Sequence, residues 1–229
     1  MNRIAVTGWF AAGWFAVSTA SAFAAEGVGR LYELPEAGSY DLPVIDRVER
    51  HELLDSEGEP SYLLAMKPGE CAVVSFIYSA CPDAQGCPLL LSALRRLDRA
   101  VAADSGLAQR VHLVSVSFDP QRDTPERLRM LRNHMNPSGD WRFLTAVSDT
   151  ALQPVLDDYG QDALRLVAVE SGESTAMIRH VAKVFLVDAS GGLRNIYSSG
   201  FLDYEMLMRD IETLLLDDEA RSNHQRNGQ

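Results

Sequence analysis

Two short apolar runs constrain the fold of this chain more than any other feature. The runs Ala72–Tyr78 and Val111–Phe118 contain no aspartate, glutamate, lysine or arginine, and such runs are typical of strands buried on both faces of a sheet. Between them, Leu89–Ala103 carries leucines at helical spacing, with arginines on its other positions. This strand–helix–strand order predicts a layered α/β sheet with parallel crossovers.

The remaining patterns extend this order. The segment Val48–Leu64 is typical of a small hairpin that turns at residues 55–60. Further strands are predicted over Phe143–Val147, Leu164–Val169, Val181–Asp188 and Leu193–Ser198, and further helices over Thr124–Met135, Asp149–Tyr159 and Tyr204–Leu216. The helices at 124 and 149 are expected to be capped by Thr124 and Asp149. The order predicts a thioredoxin-like central sheet flanked by helices, with an added N-terminal β-hairpin.

Composition excludes several classes of protein. Hydrophobic residues make up 46% of the 229 residues and charged residues 23%, as in ordinary globular proteins rather than fibrous or disordered ones. The formal net charge of −11 argues against a nucleic acid as a partner, because phosphate would repel the chain. Three cysteines are too few for a disulfide scaffold.

The N-terminus has the pattern of an export signal. Arg3 precedes an apolar run, and Ala22-Phe23-Ala24 has the form of a cleavage site. We predict a cleaved signal peptide at 1–24 and a periplasmic protein, an uncleaved membrane anchor being the alternative. Cleavage would remove one arginine and no acid, leaving a net charge of −12. The domain prediction continues with an extended lead-in at 25–47, the thioredoxin-like domain at 48–216 and a disordered tail at 217–229.

The segment Cys81–Pro88 carries the sharpest chemical signal. Two cysteines in one loop after a buried strand can bind a soft metal or form a disulfide. Because Cys81 and Cys87 are six residues apart, they do not share a helical face, and Gly86 with the neighbouring prolines predicts an exposed loop instead. The alternative is that both are unpaired structural cysteines.

The sequence leaves the roles of three other features open. Cys71 opens the first buried strand and is expected to act as a small hydrophobic residue, beyond disulfide reach of Cys81. His180 precedes a strand and could be a metal ligand, although a hydrogen-bonded, partly buried histidine is the commoner case. The loop Asp119–Thr124 has an ordinary interpretation as a turn and a helix start, but it is expected to lie near the cysteine loop. The other histidines are assigned no role.

Several of these runs occur together in one protein family. They are FIYSACPD at 76–83, CP at 87–88, VSVSFDPQRDTPE at 114–126, and His180 ahead of VFLVD at 184–188. In this order, over about residues 42–216, the chain resembles the Sco/SenC family. The resemblance implies a thioredoxin-like fold with an added hairpin. It also implies that copper, as Cu(I) or Cu(II), is bound by Cys81, Cys87 and His180.

The resemblance extends to function. It implies a role in assembling the dinuclear copper site of cytochrome c oxidase, and an acidic residue that influences the copper site, with Asp119 a better match than Asp123. One departure is that five residues separate the two cysteines, whereas the family pattern has three. A longer loop can still close on a metal, because the entropy of loop closure changes slowly with length.

The expected function is therefore that of a periplasmic copper metallochaperone, which is not an enzyme and delivers copper by ligand exchange. The expected partners are a copper-receiving respiratory protein and a thiol reductant. Association with a membrane is expected only indirectly, through the protein that receives the copper. One alternative is a thiol-disulfide oxidoreductase in which Cys81 attacks and Cys87 completes the pair, reducing copper-site cysteines of a target. The other is a copper or redox sensor that is recognised by a partner.

Overall fold

The structure is a computed structural model and describes residues 32–80, 87–161, 164–167, 174–179, 181–198 and 202–227. Its strands are β1 (Asp46–Arg47), β2 (Glu52–Leu54), β3 (Pro60–Tyr62), β4 (Cys71–Ile77), β5 (Val111–Ser117), β6 (Trp141–Leu144), β7 (Leu164–Val167), β8 (Ser174–Arg179), β9 (Lys183–Asp188) and β10 (Gly192–Ser198). Its helices are α1 (Cys87–Ala103), α2 (Pro125–Met135), α3 (Asp149–Asp158) and α4 (Tyr204–Asn227). The chain from Leu34 onward forms one compact unit.

The central sheet has the strand order β1-β10-β9-β4-β5-β6. Strand β4 runs parallel to β5, and β5 runs parallel to β6. Strand β9 is antiparallel to β4 and forms a hairpin with β10, while β2 and β3 pair as a separate hairpin. The predicted α/β fold, with a thioredoxin-like sheet and an added N-terminal hairpin, is confirmed.

Alternate side chains of β4 face two different cores, which explains its uninterrupted apolar run. Cys71 and Val73 lie in a core with apolar residues of α1, α2 and α4. Ala72 and Val74 lie in a second core with residues of α3 and of the β2–β3 hairpin. Both faces of the strand are therefore covered, and every residue of β4 is buried.

The helix starts follow capping chemistry, with one correction. The Thr124 hydroxyl accepts a hydrogen bond from the Arg127 backbone N–H at 3.4 Å, as predicted. The predicted cap of α3, Asp149, is wrong, because the Ser148 hydroxyl accepts from the Ala151 N–H at 3.1 Å. Serine and aspartate cap equally well, and a carboxylate one residue inside the helix still interacts favourably with the helix dipole. The two assignments are thus hard to separate from sequence.

The lead-in is attached to the domain along its described part. The Tyr40 hydroxyl donates to Asp210 Oδ1 of α4 at 2.6 Å. The buried Arg194 donates through Nε to the Leu42 carbonyl at 2.7 Å. Strand β1, which ends the lead-in, pairs with β10 at the edge of the central sheet. The extended segment thus becomes part of the fold, an attachment that no sequence pattern predicts.

The C-terminal segment differs from the prediction. The predicted helix ends at Leu216 and the predicted tail 217–229 is disordered, but α4 continues to Asn227, and the last two residues lie outside the described part. Arg110 pairs with Glu219, and Arg221 Nη2 lies 3.8 Å from Asp217 Oδ2. Glutamate, alanine and arginine favour helix even where few apolar residues occur, and pairs four apart add to this. Low apolar content alone therefore indicated disorder wrongly.

The segment before β9 also contains a strand that was not predicted. Strands β7 and β8 form a two-stranded antiparallel sheet outside the central one, with Leu164 opposite Arg179. The sequence of β8, STAMIR, lacks the apolar run that marks a buried strand. Strand β9 begins at Lys183, two residues later than predicted.

Candidate metal centre

One edge of the central sheet collects the segments that lead to the predicted ligands. Ile77 at the end of β4 lies opposite Ser117 at the end of β5, so the loops after both strands leave at this edge. Because β9 is antiparallel to β4, with Val184 opposite Ser75, the segment entering β9 approaches the same edge. We call this the metal-side edge: the ends of β4 and β5 and the start of β9. Cys81 and His180 themselves lie outside the described residues.

Cys87 is the described member of the predicted ligand set. It is the first residue of α1, with Pro88 following in the first turn, where proline is favoured. Its side chain is buried, with 3% of the residue exposed, in the core that contains Phe76 and Phe118. The predicted exposed loop is therefore wrong at Cys87. The helix starts two residues earlier than its leucine pattern indicates and carries the cysteine into the core.

The position of Cys87 has an electrostatic consequence. The N-terminus of a helix carries partial positive charge, because its first N–H groups have no partner within the helix. The helix N-terminus thus acts to stabilise negative charge on the Cys87 sulfur, whereas burial in the apolar core acts against it. The thiolate is the form that binds metal or attacks a disulfide.

Asp123 links the loops that follow β4 and β5. This carboxylate is fully buried, and its Oδ2 accepts from the Ser79 backbone N–H at 2.9 Å and from the Ser117 hydroxyl at 2.6 Å. The Ser79 hydroxyl donates to its Oδ1. Ser79 lies two residues before Cys81 in the chain, so Asp123 fixes the backbone from which the cysteine loop departs.

Asp119 occupies a different place in the same loop. Its carboxylate is also fully buried, and Oδ2 lies 3.1 Å from Arg122 Nη1. Its carbonyl accepts from the backbone N–H groups of Arg122 and Asp123, at 3.0 and 2.7 Å. Asp119 therefore shapes the turn, whereas Asp123 makes the direct bonds to the residue that precedes the cysteine loop. The predicted influence of either residue on a metal stays a prediction.

Arg127 is a member of this cluster that sequence analysis missed. Its Nε donates to the Ser79 hydroxyl at 2.6 Å and lies 3.8 Å from Asp123 Oδ1. A guanidinium at this distance partly offsets the cost of burying the carboxylate. The spacing of Asp123 and Arg127, four residues apart across a helix start, was the signal that could have indicated the pair.

Cys71 lies at the opposite end of β4 from the metal-side edge. It is fully buried, and burial raises the pKa of its thiol to about 12, while Arg110 acts in the opposite direction. Its predicted behaviour as a small hydrophobic residue agrees with this burial. Such a thiol is almost entirely protonated near neutral pH and is inaccessible to reagents.

We expect native Cys71 to resist alkylation. In folded protein treated with iodoacetamide near pH 7.5, mass spectrometry should find the Cys71 peptide unmodified, because both exposure and the thiolate fraction are very low. The same treatment in strong denaturant provides the control and should modify it fully. Equal rates in the two conditions would contradict the buried position.

Two of the remaining described histidines pair with carboxylates. His112 is held between two carboxylates, with Nδ1 2.6 Å from Asp140 Oδ2 and Nε2 3.0 Å from Glu70 Oε2. The hydrogen bond to Asp140 contributes most to raising the His112 pKa, against the effect of burial. His51 contacts Asp158 at 2.7 Å. Among the described residues, no group of three or more histidine, cysteine, aspartate or glutamate side chains could hold a metal.

The family assignment follows from comparison with known proteins. The family model described as SCO1/SenC matches residues 45–216. The chain belongs to the SCO1/SenC family. This confirms the resemblance noted in the sequence.

Individual SCO1/SenC relatives are distant. A protein of Stutzerimonas stutzeri, provisionally named a copper-binding protein, is 33% identical over 96 residues, covering 42% of this chain and 45% of that protein. The alignment thus spans less than half of that relative.

Two solved structures show that the SCO1/SenC fold is shared. The crystal structure of Arabidopsis thaliana ScoI with copper bound is 20% identical, with a TM-score of 0.58, and the match covers 76% of this chain and 98% of that one. BsSco, described as having a disulfide switch and as a member of a family of cytochrome c oxidase assembly proteins, is 21% identical, with a TM-score of 0.59 and coverages of 79% and 98%.

In the described part of this SCO1/SenC protein, no helix combines the length and apolar character needed to cross a bilayer. The predicted signal peptide at 1–24 lies outside the described residues.

Proposed function

We propose that this protein is a periplasmic metallochaperone whose cargo is copper and whose ligands are Cys81, Cys87 and His180. One observation carries the proposal: the SCO1/SenC match spans all three positions. The convergence of the ends of β4 and β5 and the start of β9 at one edge supports it. A copper-bound relative with the same fold supports copper as the cargo.

The donor set suits this metal. Thiolates are soft ligands that favour Cu(I), and an imidazole lets the same site hold Cu(II). Cys87 sits on a helix start, where negative charge is favoured. The three ligands must be deprotonated to bind, so copper loading should release protons and weaken as the pH falls.

The surroundings of the site support a transfer role. Cys87 is fixed by α1, while the segment leading to Cys81 departs from Ser79, which Asp123 holds. One ligand would thus lie on a rigid element and another on a loop anchored at its base. Ligands of this kind can be replaced one at a time by thiols or imidazoles of a receiving protein, with no net oxidation or reduction.

The proposed receiver is a respiratory copper enzyme such as cytochrome c oxidase, and a thiol reductant would keep both cysteines able to bind. The description of the BsSco family as cytochrome c oxidase assembly proteins supports this receiver.

The test is copper binding by the anaerobically reduced protein. We expect about one copper per chain in the wild type, and at least roughly hundredfold weaker binding in Cys81→Ser, Cys87→Ser and His180→Ala, because each change removes a ligand. Cys71→Ala and His134→Ala are matched controls, since Cys71 is remote and His134 is exposed on α2. Wild-type affinity in His180→Ala would overturn the ligand assignment.

A second candidate is a thiol-disulfide oxidoreductase, which the helix-start position of Cys87 and the disulfide switch described for BsSco favour. Cys81 would attack a target disulfide, and Cys87 would resolve the mixed disulfide, so that the target gains two thiols as Cys81 and Cys87 become a disulfide. A thiol reductant would then restore the pair. Absence of copper binding in the wild type, with disulfide exchange intact in His180→Ala, would favour this function.

A further inference from the structure

Gln161 is a buried polar side chain whose amide has no described partner. The residue is 5% exposed, and neither its Oε1 nor its Nε2 has a hydrogen-bond partner in the part of the chain that the structure describes. Burying an amide without hydrogen bonds is unfavourable, and most buried side-chain polar atoms in proteins are paired. A hydrogen-bonding partner that is absent from the described residues would therefore stabilise the Gln161 amide.

The backbone places this side chain at the end of α3. The Gly160 N–H donates to the Asp157 carbonyl at 3.1 Å, and the Gln161 N–H donates to the Leu156 carbonyl at 2.8 Å. These two bonds, with φ of +51° at Gly160, form a Schellman motif. The residue at the Gln161 position of that motif is commonly apolar and packs on the helix. A glutamine there puts an amide where packing alone would favour a hydrocarbon side chain.

This corner lies against the metal-side edge. The ring of Tyr159 packs edge-on against Phe76 of β4 and Phe185 of β9, with centroids 5.3 and 5.0 Å away. The Gly160 carbonyl accepts from Lys183 Nζ, at the first residue of β9, at 3.0 Å. The corner therefore contacts the start of β9, which follows His180 by three residues in the chain.

The chemistry of a bound imidazole supplies the missing partner. A histidine that binds a metal through one ring nitrogen carries N–H on the other, and this N–H usually donates to an oxygen that fixes the ring. The Gln161 amide oxygen is such an acceptor. The Tyr159 hydroxyl, also buried and without a described partner, is first of all a donor and suits this N–H less well.

We propose that Gln161 is a positioning residue for the copper site, its Oε1 accepting the free N–H of the His180 imidazole. The inference rests on the proposed function. The effect should be largest for Cu(II) affinity, because the imidazole is the ligand that favours that oxidation state.

The test compares three variants with the wild type, using Cu(II) as the probe. Gln161→Met keeps the side-chain length without hydrogen-bonding atoms, Gln161→Glu keeps an acceptor oxygen, and Tyr159→Phe removes the other unpartnered polar atom of the corner. Affinity is measured by competition with a chelator, the ligand field by electron paramagnetic resonance, and the stability of the metal-free protein by urea unfolding.

We expect Gln161→Met to bind Cu(II) about tenfold or more weakly with an altered spectrum, since loss of such a partner commonly costs about 10–100-fold. Its metal-free stability should be unchanged or higher, because a buried unpaired amide is removed. Gln161→Glu should retain wild-type affinity within about threefold, because it keeps the acceptor, and Tyr159→Phe should match the wild type.

Two results with the variants would overturn the inference while leaving the proposed function intact. One is wild-type affinity and spectrum in Gln161→Met. The other is a lower free energy of unfolding of the metal-free Gln161→Met protein. That result would show that the Gln161 amide already makes a stabilising hydrogen bond within the metal-free fold. Failure of the wild type to bind copper would overturn the proposed function, and this inference with it.

Discussion

Replacing Asp123 with alanine should lower the free energy of unfolding by about 3 kcal/mol and also weaken copper binding. The change removes a fully buried acceptor of three hydrogen bonds, two from Ser79 and one from the Ser117 hydroxyl. It leaves those donors unsatisfied and releases the backbone two residues before Cys81. Urea unfolding and copper competition on the same protein measure the two effects.

Glu126→Ala is the matched control for Asp123→Ala, because Glu126 is an exposed carboxylate in the first turn of α2, three residues away. It should change stability by less than about 0.5 kcal/mol. Asp123→Asn, which keeps one acceptor oxygen, should fall between the two. Wild-type stability of Asp123→Ala would show that the hydrogen bonds of Asp123 do not stabilise the segment at Ser79. Unchanged copper affinity would show that these bonds stabilise the fold without affecting the copper site.

The second large effect is expected at Asp188, at the end of β9. Its carboxylate lies 2.9 Å from the guanidinium of the buried Arg194 and accepts three further bonds, from Ser190 N–H and hydroxyl and from Gly192 N–H. Asp188→Ala should cost about 3–5 kcal/mol, because it leaves Arg194 buried without its counterion. In contrast, Glu212→Ala, which breaks the exposed pair with Arg209, should cost less than about 1 kcal/mol.

The contribution of the Asp188 carboxylate to the free energy of unfolding should decrease as the pH falls. Burial acts to raise its pKa, but the bonds from Ser190, Gly192 and Arg194 act the other way, and the pKa ends below its ordinary 3.8. A carboxyl with a lowered pKa stabilises the fold above that ordinary value, and the stabilisation is lost as the pH falls through the folded-state pKa. The stability difference between wild type and Asp188→Ala should therefore be constant above about pH 5 and shrink below about pH 4. A difference that grows on acidification would contradict this sign.

The sheet was predictable because its central strands are buried on both faces. Uninterrupted runs without charged residues predict strands β4 and β5, and the capping chemistry of Thr124-Pro125 predicts a helix start. Strand β8 could not be found in this way, since it pairs outside the central sheet. The extension of α4 depends on helix propensity and on ion pairs such as Arg110 with Glu219, which composition does not reveal.

The candidate site was predictable in its residues and less so in its surroundings. Paired cysteines after a buried strand stand out in any sequence, but the burial of Cys87 depends on where α1 begins. The bonds between Asp123 and Ser79 join residues 44 apart in the chain, so only the parallel pairing of β4 and β5 brings them together. Local patterns favour neither Asp119 nor Asp123 for that role.

The attachment of the lead-in to α4 bears on how the chain reaches its folded state. Tyr40 and Asp210 are separated by 170 residues, Gly38 and Thr213 by 175, and the first strand of the central sheet pairs with the last. Contacts this distant in sequence close late, because a long loop must be ordered before they form. A chain emerging N-terminus first cannot complete the central sheet until β10 has emerged, and cannot bond its lead-in to α4 until that helix has followed. The domain should therefore acquire the stability contributed by these contacts only after α4 is available to bind the lead-in.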